Sequence, residues 1–146
     1  MPFWQVFTPE GAYTDDDKQA LAQAITDACI SFAEIPAFFV NVYFHEMAAN
    51  NTYLGGQQRD DFIHIATDIV ARQLPTPEIR AACMSVINDT IRPFVQDRGF
   101  HVEIHLDQTP VELWRVEGIT APLDYPELFD QWIKENRAVP WEVPVP

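Results

Sequence analysis

The pattern of apolar and polar residues along the chain predicts four β-strands. Short apolar runs at residues 3–7 and 62–70 are typical of buried strands. Residues 38–44 and 101–107 instead alternate, which places apolar side chains on one face of each strand and polar ones on the other. The polar face of these two strands carries Tyr43, His45, His105 and Asp107.

Two longer segments between these strands carry apolar residues at helical spacing. Thr14 precedes the first segment and three aspartates follow it, which gives an N-cap and acidic side chains at the positive end of the helix dipole. Thr76 and Pro77 open the second segment with a cap and a favoured first residue. The predicted buried stripes are Leu21, Ile25, Ala28, Cys29 and Phe32 in the first helix and Ile79, Cys83, Val86, Ile87 and Phe94 in the second.

The second half of the chain resembles the first when the sequence is shifted by 62 residues. Residues 14–56 then align with 76–118 without a gap, and 8 of the 43 positions are identical. The predicted caps, helices and strands recur in phase along this alignment. The chain therefore looks like a duplication of one β-α-β unit.

Two such units in tandem predict an α+β fold, in which a four-stranded sheet carries two antiparallel helices on one face. We expect a single domain over residues 1–146, with repeat units at about 2–56 and 62–118. The proline-rich remainder, 119–146, is predicted to form a C-terminal arm with one short helix at 127–136. Because helices cover one face only, the other face of the sheet needs water or another subunit, so we expect an oligomer.

The composition fits one globular domain and excludes several classes of function. Of 146 residues, 47% are hydrophobic and 21% are charged, which is enough to bury a core. The formal net charge of −13 would repel nucleic acid and anionic membrane surfaces, and no apolar run approaches the ~18 residues that cross a bilayer. The two cysteines form no disulfide framework or CxxC pair. We expect a cytoplasmic protein with neither a cofactor nor a bound metal.

The N-terminal dipeptide Met1-Pro2 is a candidate for chemistry. Proline is small enough for an aminopeptidase to remove Met1, which would leave a free secondary amine on Pro2. Such an amine has a removable proton when charged and a nucleophilic lone pair when neutral. The alternative is a proline that merely starts a strand. The following residues lack the basic start and apolar stretch of a signal peptide.

Taken together, these features resemble the tautomerase superfamily. They are Met1-Pro2 before a strand, the duplicated unit, residues 24–28 (AITDA) and residues 53–56 (YLGG). Over residues 1 to about 120 the chain is similar in particular to the cis-3-chloroacrylic acid dehalogenase-like branch, in its fungal group of putative oxalocrotonate tautomerases. Three segments are similar to that group, RPF at 92–94, DRG at 97–99 and ELW at 112–114. The resemblance implies a homotrimer whose N-terminal proline amine acts as base, acid or nucleophile on a small oxo acid or unsaturated acid.

The resemblance also implies a carboxylate-binding set, and this chain departs from it. In the dehalogenase branch a histidine of the first helix and two arginines hold the substrate carboxylate. Pro2 is kept here, but the histidine falls on Cys29, and the arginines fall on Asp68 and Ala71, with Arg72 one place away. A planar guanidinium suits a carboxylate, so Arg72 is the predicted replacement, with a surface cation as the alternative.

The water-handling residues of that branch have changed as well. Its tyrosine falls on His105, and its glutamate falls on Val116, with Glu117 next door. His105 is a candidate acid or base because histidine side chains commonly serve in these roles, and a solvated or interfacial histidine between acidic neighbours is an equal alternative. The changed set disfavours hydration and dehalogenation.

The candidate site therefore combines catalytic and substrate-binding residues. As alternatives to a role in the site, Tyr53 and Trp114 could be core or interface aromatics, and Cys29 could be a small buried hydrophobe. Tyr53 lies in a predicted small hairpin that is flanked by glycines. His64 aligns with Pro2 under the 62-residue shift and is expected to be structural. The predicted catalytic residues are Pro2, His105 and Glu117, and the predicted substrate-binding residues are Arg72, Trp114, Tyr53 and Cys29.

Three functions stay open from the sequence. The leading one is a tautomerase that moves a proton on a small carbonyl compound or 2-oxo acid through the Pro2 amine. The second is hydratase, dehalogenase or decarboxylase chemistry on a three-carbon unsaturated or oxo acid. The third is a catalytically idle trimer that binds a ligand.

Overall fold

Residues 1–70 and 73–142 are described by a computed structural model. Within them the chain forms a four-stranded sheet, a small hairpin and three helices. The strands are β1 (Phe3–Pro9), β2 (Asn41–Met47), β3 (Tyr53–Leu54), β4 (Gln57–Gln58), β5 (Phe62–Ile69) and β6 (His101–Gln108), and the helices are α1 (Asp15–Ala33), α2 (Pro77–Ile91) and α3 (Pro126–Glu135).

The strand order of the sheet is β2-β1-β5-β6. The outer pairs β1–β2 and β5–β6 are parallel, as expected for the ends of a β-α-β unit, and the central pair β1–β5 is antiparallel. α1 and α2 pack side by side against one face of this sheet. The predicted α+β fold of tandem β-α-β repeats is thus confirmed.

The helix starts follow from the sequence signals. Thr14 and Asp17 form a capping box, in which the Thr14 hydroxyl accepts from the Asp17 backbone N–H and the Asp17 carboxylate accepts from the Thr14 backbone N–H. The Thr76 hydroxyl caps α2, with Pro77 at its first position. Both N-termini were predicted.

Two predicted element boundaries were wrong. The strand expected from residue 38 begins at Asn41, because residues 37–39 form a 3-10 turn after Pro36. The apolar stripe of α2 was extended to Phe94, but the helix ends at Ile91, and Pro93 lies in a following 3-10 turn. In both places a proline limits the regular element.

The core between the sheet and the two helices uses alternate strand positions. Trp4 and Val6 of β1 and Ile63 and Ile65 of β5 are at most 3% exposed and pack against Leu21, Ile25, Ile87 and Ile91 of the helices. The prediction that Phe32 and Ile79 are buried was wrong, since both residues are 39% exposed. Each lies towards the end of its helix, where the sheet no longer covers it.

A second apolar cluster forms where the C-terminal segment crosses the start of the chain. Phe129 and Trp132 of α3 pack with Phe39 and with Met1, all of them at most 6% exposed. The Trp132 indole N–H donates to the backbone carbonyl of Val139 at 2.9 Å. The C-terminal segment therefore covers the N-terminus of the protein.

The second face of the sheet is covered by no helix in the described part of the chain. It carries all four histidines, His45, His64, His101 and His105, together with Phe3, Phe7 and Tyr43. This open face matches the prediction from strand alternation. Of the helices described, none is long and apolar enough to cross a membrane.

Candidate active site

The start of β1 places Met1 and Pro2 inside the protein. Both residues are buried, with Met1 only 3% exposed. The Pro2 carbonyl accepts a hydrogen bond from the Asn41 backbone N–H at 3.1 Å, which ties the N-terminus to β2. The N-terminus thus has a defined position between the sheet, α1 and the C-terminal segment.

An apolar cavity of about 70 Å³ lies beside Met1 and Pro2. It is bounded by the helix-facing side of the sheet and by residues of α1 and α2, including Trp4, Cys29 and Cys83. No charged side chain lines it among residues 1–70 and 73–142. The volume is well below the ~300–1,000 Å³ of ordinary ligand sites, and Met1 occupies space at its edge.

Burial changes the acidity of the terminal amine. Desolvation lowers the pKa of the Met1 amine from 8.0 to about 5, against a smaller opposing influence of Cys29. An amine held here is therefore neutral at physiological pH. That is the protonation state of a general base.

Cys29 lies in the same cavity, and its predicted role in substrate binding stays a prediction. Burial makes its thiol a poor nucleophile. Burial raises the pKa of Cys29 to about 12, and the neighbouring Trp4 indole opposes this only in part. The pKa of Cys83 is also raised by burial. Both thiols thus act as small neutral groups in the cavity wall.

We expect the free energy of unfolding of a chain with a free Met1 amine to rise with pH between about 5 and 8. In this window the Met1 amine binds a proton in the unfolded chain but not in the folded chain, so acidification favours unfolding. The free energy of unfolding falls by at most about 4 kcal/mol across the window. Urea unfolding across this range measures the slope. An N-terminally acetylated chain is the control, because it lacks this component. Equal slopes for both chains would contradict the assigned burial of the amine.

His105 lies on the other side of the sheet from Pro2. Its neighbour Leu106 lines the cavity, whereas His105 faces the open side, where its Nδ1 lies 2.9 Å from Nε2 of His64. The Oδ2 atom of Asp107 lies 3.8 Å from Nε2 of His105, and the Oε1 atom of Glu103 lies 4.0 Å from Nδ1 of His64. Within one chain, the structure does not bring His105 together with Pro2.

The remaining predicted residues lie at three separate places. Glu117 is exposed at the tip of a tight turn, where it and Gly118 both have positive φ. Trp114 packs on the cluster that holds Met1. Tyr53 is 56% exposed on the predicted hairpin, which β3 and β4 form. Only Trp114 of these three approaches the N-terminus.

Arg72 and Ala71 lie outside the described residues, so the role of Arg72 stays a prediction. Asp68, the other position that matches a family arginine, is on the open face in register with Phe3 and Asp107. Among residues 1–70 and 73–142, no three His, Cys, Asp or Glu side chains are grouped so that they could hold a metal ion.

Sequence reasoning did not single out Trp4. Trp4 is 3% exposed and lines the cavity, two residues after Pro2, which directly precedes β1. The strand period of two could have indicated this, because residues two apart on a strand face the same side.

Comparison with known proteins agrees with this geometry. A family model described as "Putative oxalocrotonate tautomerase enzyme" matches residues 1–137. Native RhCC from Rhodococcus jostii RHA1 is 40% identical, with a TM-score of 0.92, covering 95% of this chain and 99% of that one. A structure described as "a probable enzyme" from the fungus Aspergillus fumigatus is 30% identical, with a TM-score of 0.89, covering 97% and 98%.

A more distant structure shares the fold alone. N1, a member of the cis-3-chloroacrylic acid dehalogenase family, is 17% identical, with a TM-score of 0.71 and coverage of 91% of this chain and 96% of that one. The curated proteins contain no match. The family match over most of the chain and the 40% identity to RhCC confirm the resemblance expected from the sequence. The chain belongs to the tautomerase superfamily, in the family of putative oxalocrotonate tautomerase enzymes.

Proposed function

We propose that the protein is an enzyme that interconverts enol and keto forms of a small carbonyl compound or 2-oxo acid through the amine of Pro2. The observation that carries this proposal is the burial of the N-terminus against a cavity that residues 1–70 and 73–142 line without a charged side chain. The pKa of the Met1 amine at this place is lowered to about 5. The same burial would lower the pKa of a Pro2 amine and keep its lone pair available.

The proposed reaction is a proton shuttle. The neutral Pro2 nitrogen takes the proton of the enol hydroxyl, which leaves an enolate and a charged secondary amine. The charged amine then returns one proton to the α-carbon, which gives the ketone and restores the base. No other group has to gain or lose a proton overall.

Removal of Met1 is part of the proposal. With Met1 in place, the Pro2 nitrogen is an amide, and Met1 fills the space next to it. Because Met1 is 3% exposed in the folded chain, an aminopeptidase has to act before the C-terminal segment packs over it. Its departure also enlarges the cavity towards Phe39 and Trp132.

The cavity wall supports proton transfer over hydration or dehalogenation. Activating water calls for a polar pair near the substrate, whereas the described cavity wall offers two neutral thiols, a threonine and an indole. His105 is on the opposite face of the sheet and Glu117 is on an exposed turn. Arg72 stays our predicted partner for a substrate carboxylate.

We also propose that three chains assemble through the open face. That face presents Tyr43, 51% exposed, beside Phe3, with the His64–His105 pair next to them. Aromatic rings and imidazoles without a covering layer are suited to burial against further copies of the chain. The assembly leaves the cavity on the helix side of each sheet.

The test compares chains that differ only at the N-terminus. Chains with Met1 removed should convert phenylpyruvate or 2-hydroxymuconate from enol to ketone, while chains with an acetylated Met1 should show only the solution rate. Intact mass identifies each form, and native mass should show three chains in both. Equal rates for the two trimeric forms would refute the proposed role of the amine.

A further inference from the structure

Trp4 carries a buried N–H group without a strong acceptor in the cavity beside Pro2. Its ring is 3% exposed, and among the described residues its Nε1 atom donates to no oxygen or nitrogen atom. The indole N–H lies next to the Cys29 thiol, whose pKa it lowers, and sulfur is a weak acceptor. By contrast, Trp132 donates to the Val139 carbonyl and Trp141 to the Thr120 carbonyl, both at 2.9 Å. A buried N–H without a strong acceptor is destabilising, which calls for an explanation.

The position of Trp4 relative to Pro2 is set by the strand. Pro2 directly precedes β1 and Trp4 is the second residue of that strand, so one residue lies between them and their Cα atoms are roughly 6.6 Å apart. Both line the same cavity. Once removal of Met1 has enlarged this cavity, a small molecule in it can therefore contact both residues at once.

The other polar groups of the cavity give the Trp4 N–H no strong acceptor. The Thr90 hydroxyl donates to the Val86 carbonyl at 2.7 Å and is held by its own helix. The Cys29 thiol lies beside the indole, but burial keeps its pKa at about 12, and a neutral sulfur is a weak acceptor. An oxygen atom of a bound molecule would be the stronger acceptor.

We propose that the Trp4 indole N–H holds the carbonyl or enolate oxygen of the substrate while the Pro2 amine moves the proton. This inference rests on the proposed function for its catalytic part. During the reaction, negative charge develops on that oxygen, and a fixed donor in a buried, largely apolar cavity stabilises it more than water would. Trp4 would thereby also select substrates with an oxygen at this position over hydrocarbons of the same shape.

The binding part can be tested without turnover. Acetophenone and ethylbenzene differ only in a C=O group in place of a CH₂ group, and both suit an apolar cavity. Added to chains without Met1, acetophenone should move the ¹H–¹⁵N indole signal of Trp4 downfield, and ethylbenzene should not. The Trp4→Phe variant assigns the signal by its loss. An unmoved Trp4 signal at saturating acetophenone would overturn the proposal.

The catalytic part is tested by Trp4→Phe, which keeps an apolar ring and removes the N–H. We expect kcat/KM for enol–keto conversion to fall about 10²–10³-fold, while the urea midpoint stays the same or rises because a buried N–H without a strong acceptor is removed. Trp141→Phe is the matched control: it loses a satisfied hydrogen bond, so its midpoint should fall while its rate stays unchanged. Unchanged kcat/KM in Trp4→Phe would overturn the catalytic role.

These outcomes separate the two proposals. The shift of the Trp4 indole signal on addition of acetophenone can also be recorded in the Pro2→Ala variant. We expect this variant to keep the cavity and to lose turnover. A shift there, together with an unchanged rate in Pro2→Ala, would contradict the proposed function and leave Trp4 as a ligand-binding residue. No shift, together with a rate that depends on Pro2, would contradict the role of Trp4 alone.

Discussion

A chain with Met1 removed and Pro2 replaced by alanine is expected to convert enol to ketone about 10²–10⁴-fold more slowly than the processed parent. Alanine also permits removal of Met1, so the variant differs in the terminal amine and its ring. The primary amine of alanine lacks the fixed ring that holds the proline nitrogen against the cavity. Its lone pair is then delivered with less defined geometry, and general acid–base catalysis depends on that geometry.

The measurement is the decay of enol absorbance under first-order conditions, with intact mass showing that both chains start at residue 2. Pro9→Ala is the matched control, because Pro9 ends the same strand at the edge away from the cavity. We expect its rate to stay within a few-fold of the parent. A Pro2→Ala rate equal to that of Pro9→Ala would mean that the amine is not the catalyst.

The second large effect is expected on stability. Trp132→Ala should lower the free energy of unfolding by about 3–5 kcal/mol, as for other buried tryptophans cut back to alanine. The ring is 1% exposed, its centroid lies 6.0 Å from that of Phe39, and its N–H donates to Val139. Its loss leaves a cavity and an unpaired Val139 carbonyl at the contact that covers the N-terminus.

Urea unfolding of the two chains measures this difference. Ile133→Ala is the control on the same helix, since Ile133 is 37% exposed and its truncation should cost less than about 1 kcal/mol. If Trp132→Ala cost no more than Ile133→Ala, the C-terminal segment would not be an integral part of the fold. Faster proteolysis after α3 in Trp132→Ala would be the accompanying sign of undocking.

The elements of the fold were predictable because their signals are local. A capping residue, a helical stripe or a strand alternation involves residues within a few positions of one another, and each acts before any tertiary contact forms. The prediction failed at Phe38 and Phe39, which were counted as strand. They are apolar because they pack on Trp132, more than 90 residues further on, and a local window cannot detect such a partner.

The candidate site was predictable only in part. The sequence by itself determined that Pro2 precedes a strand, that Cys29 lies on the inner face of a helix, and that His105 faces away from Leu106, because each statement follows from a local pattern. The tertiary structure decided that Pro2, Cys29 and Trp4 share one cavity, that Met1 is buried beneath Trp132, and that His105 is on the other side of the sheet. Which side chains meet in a cavity depends on how the helices and the C-terminal segment pack on the sheet. That packing is set by shape and buried area summed over contacts far apart along the chain, and no local pattern records it.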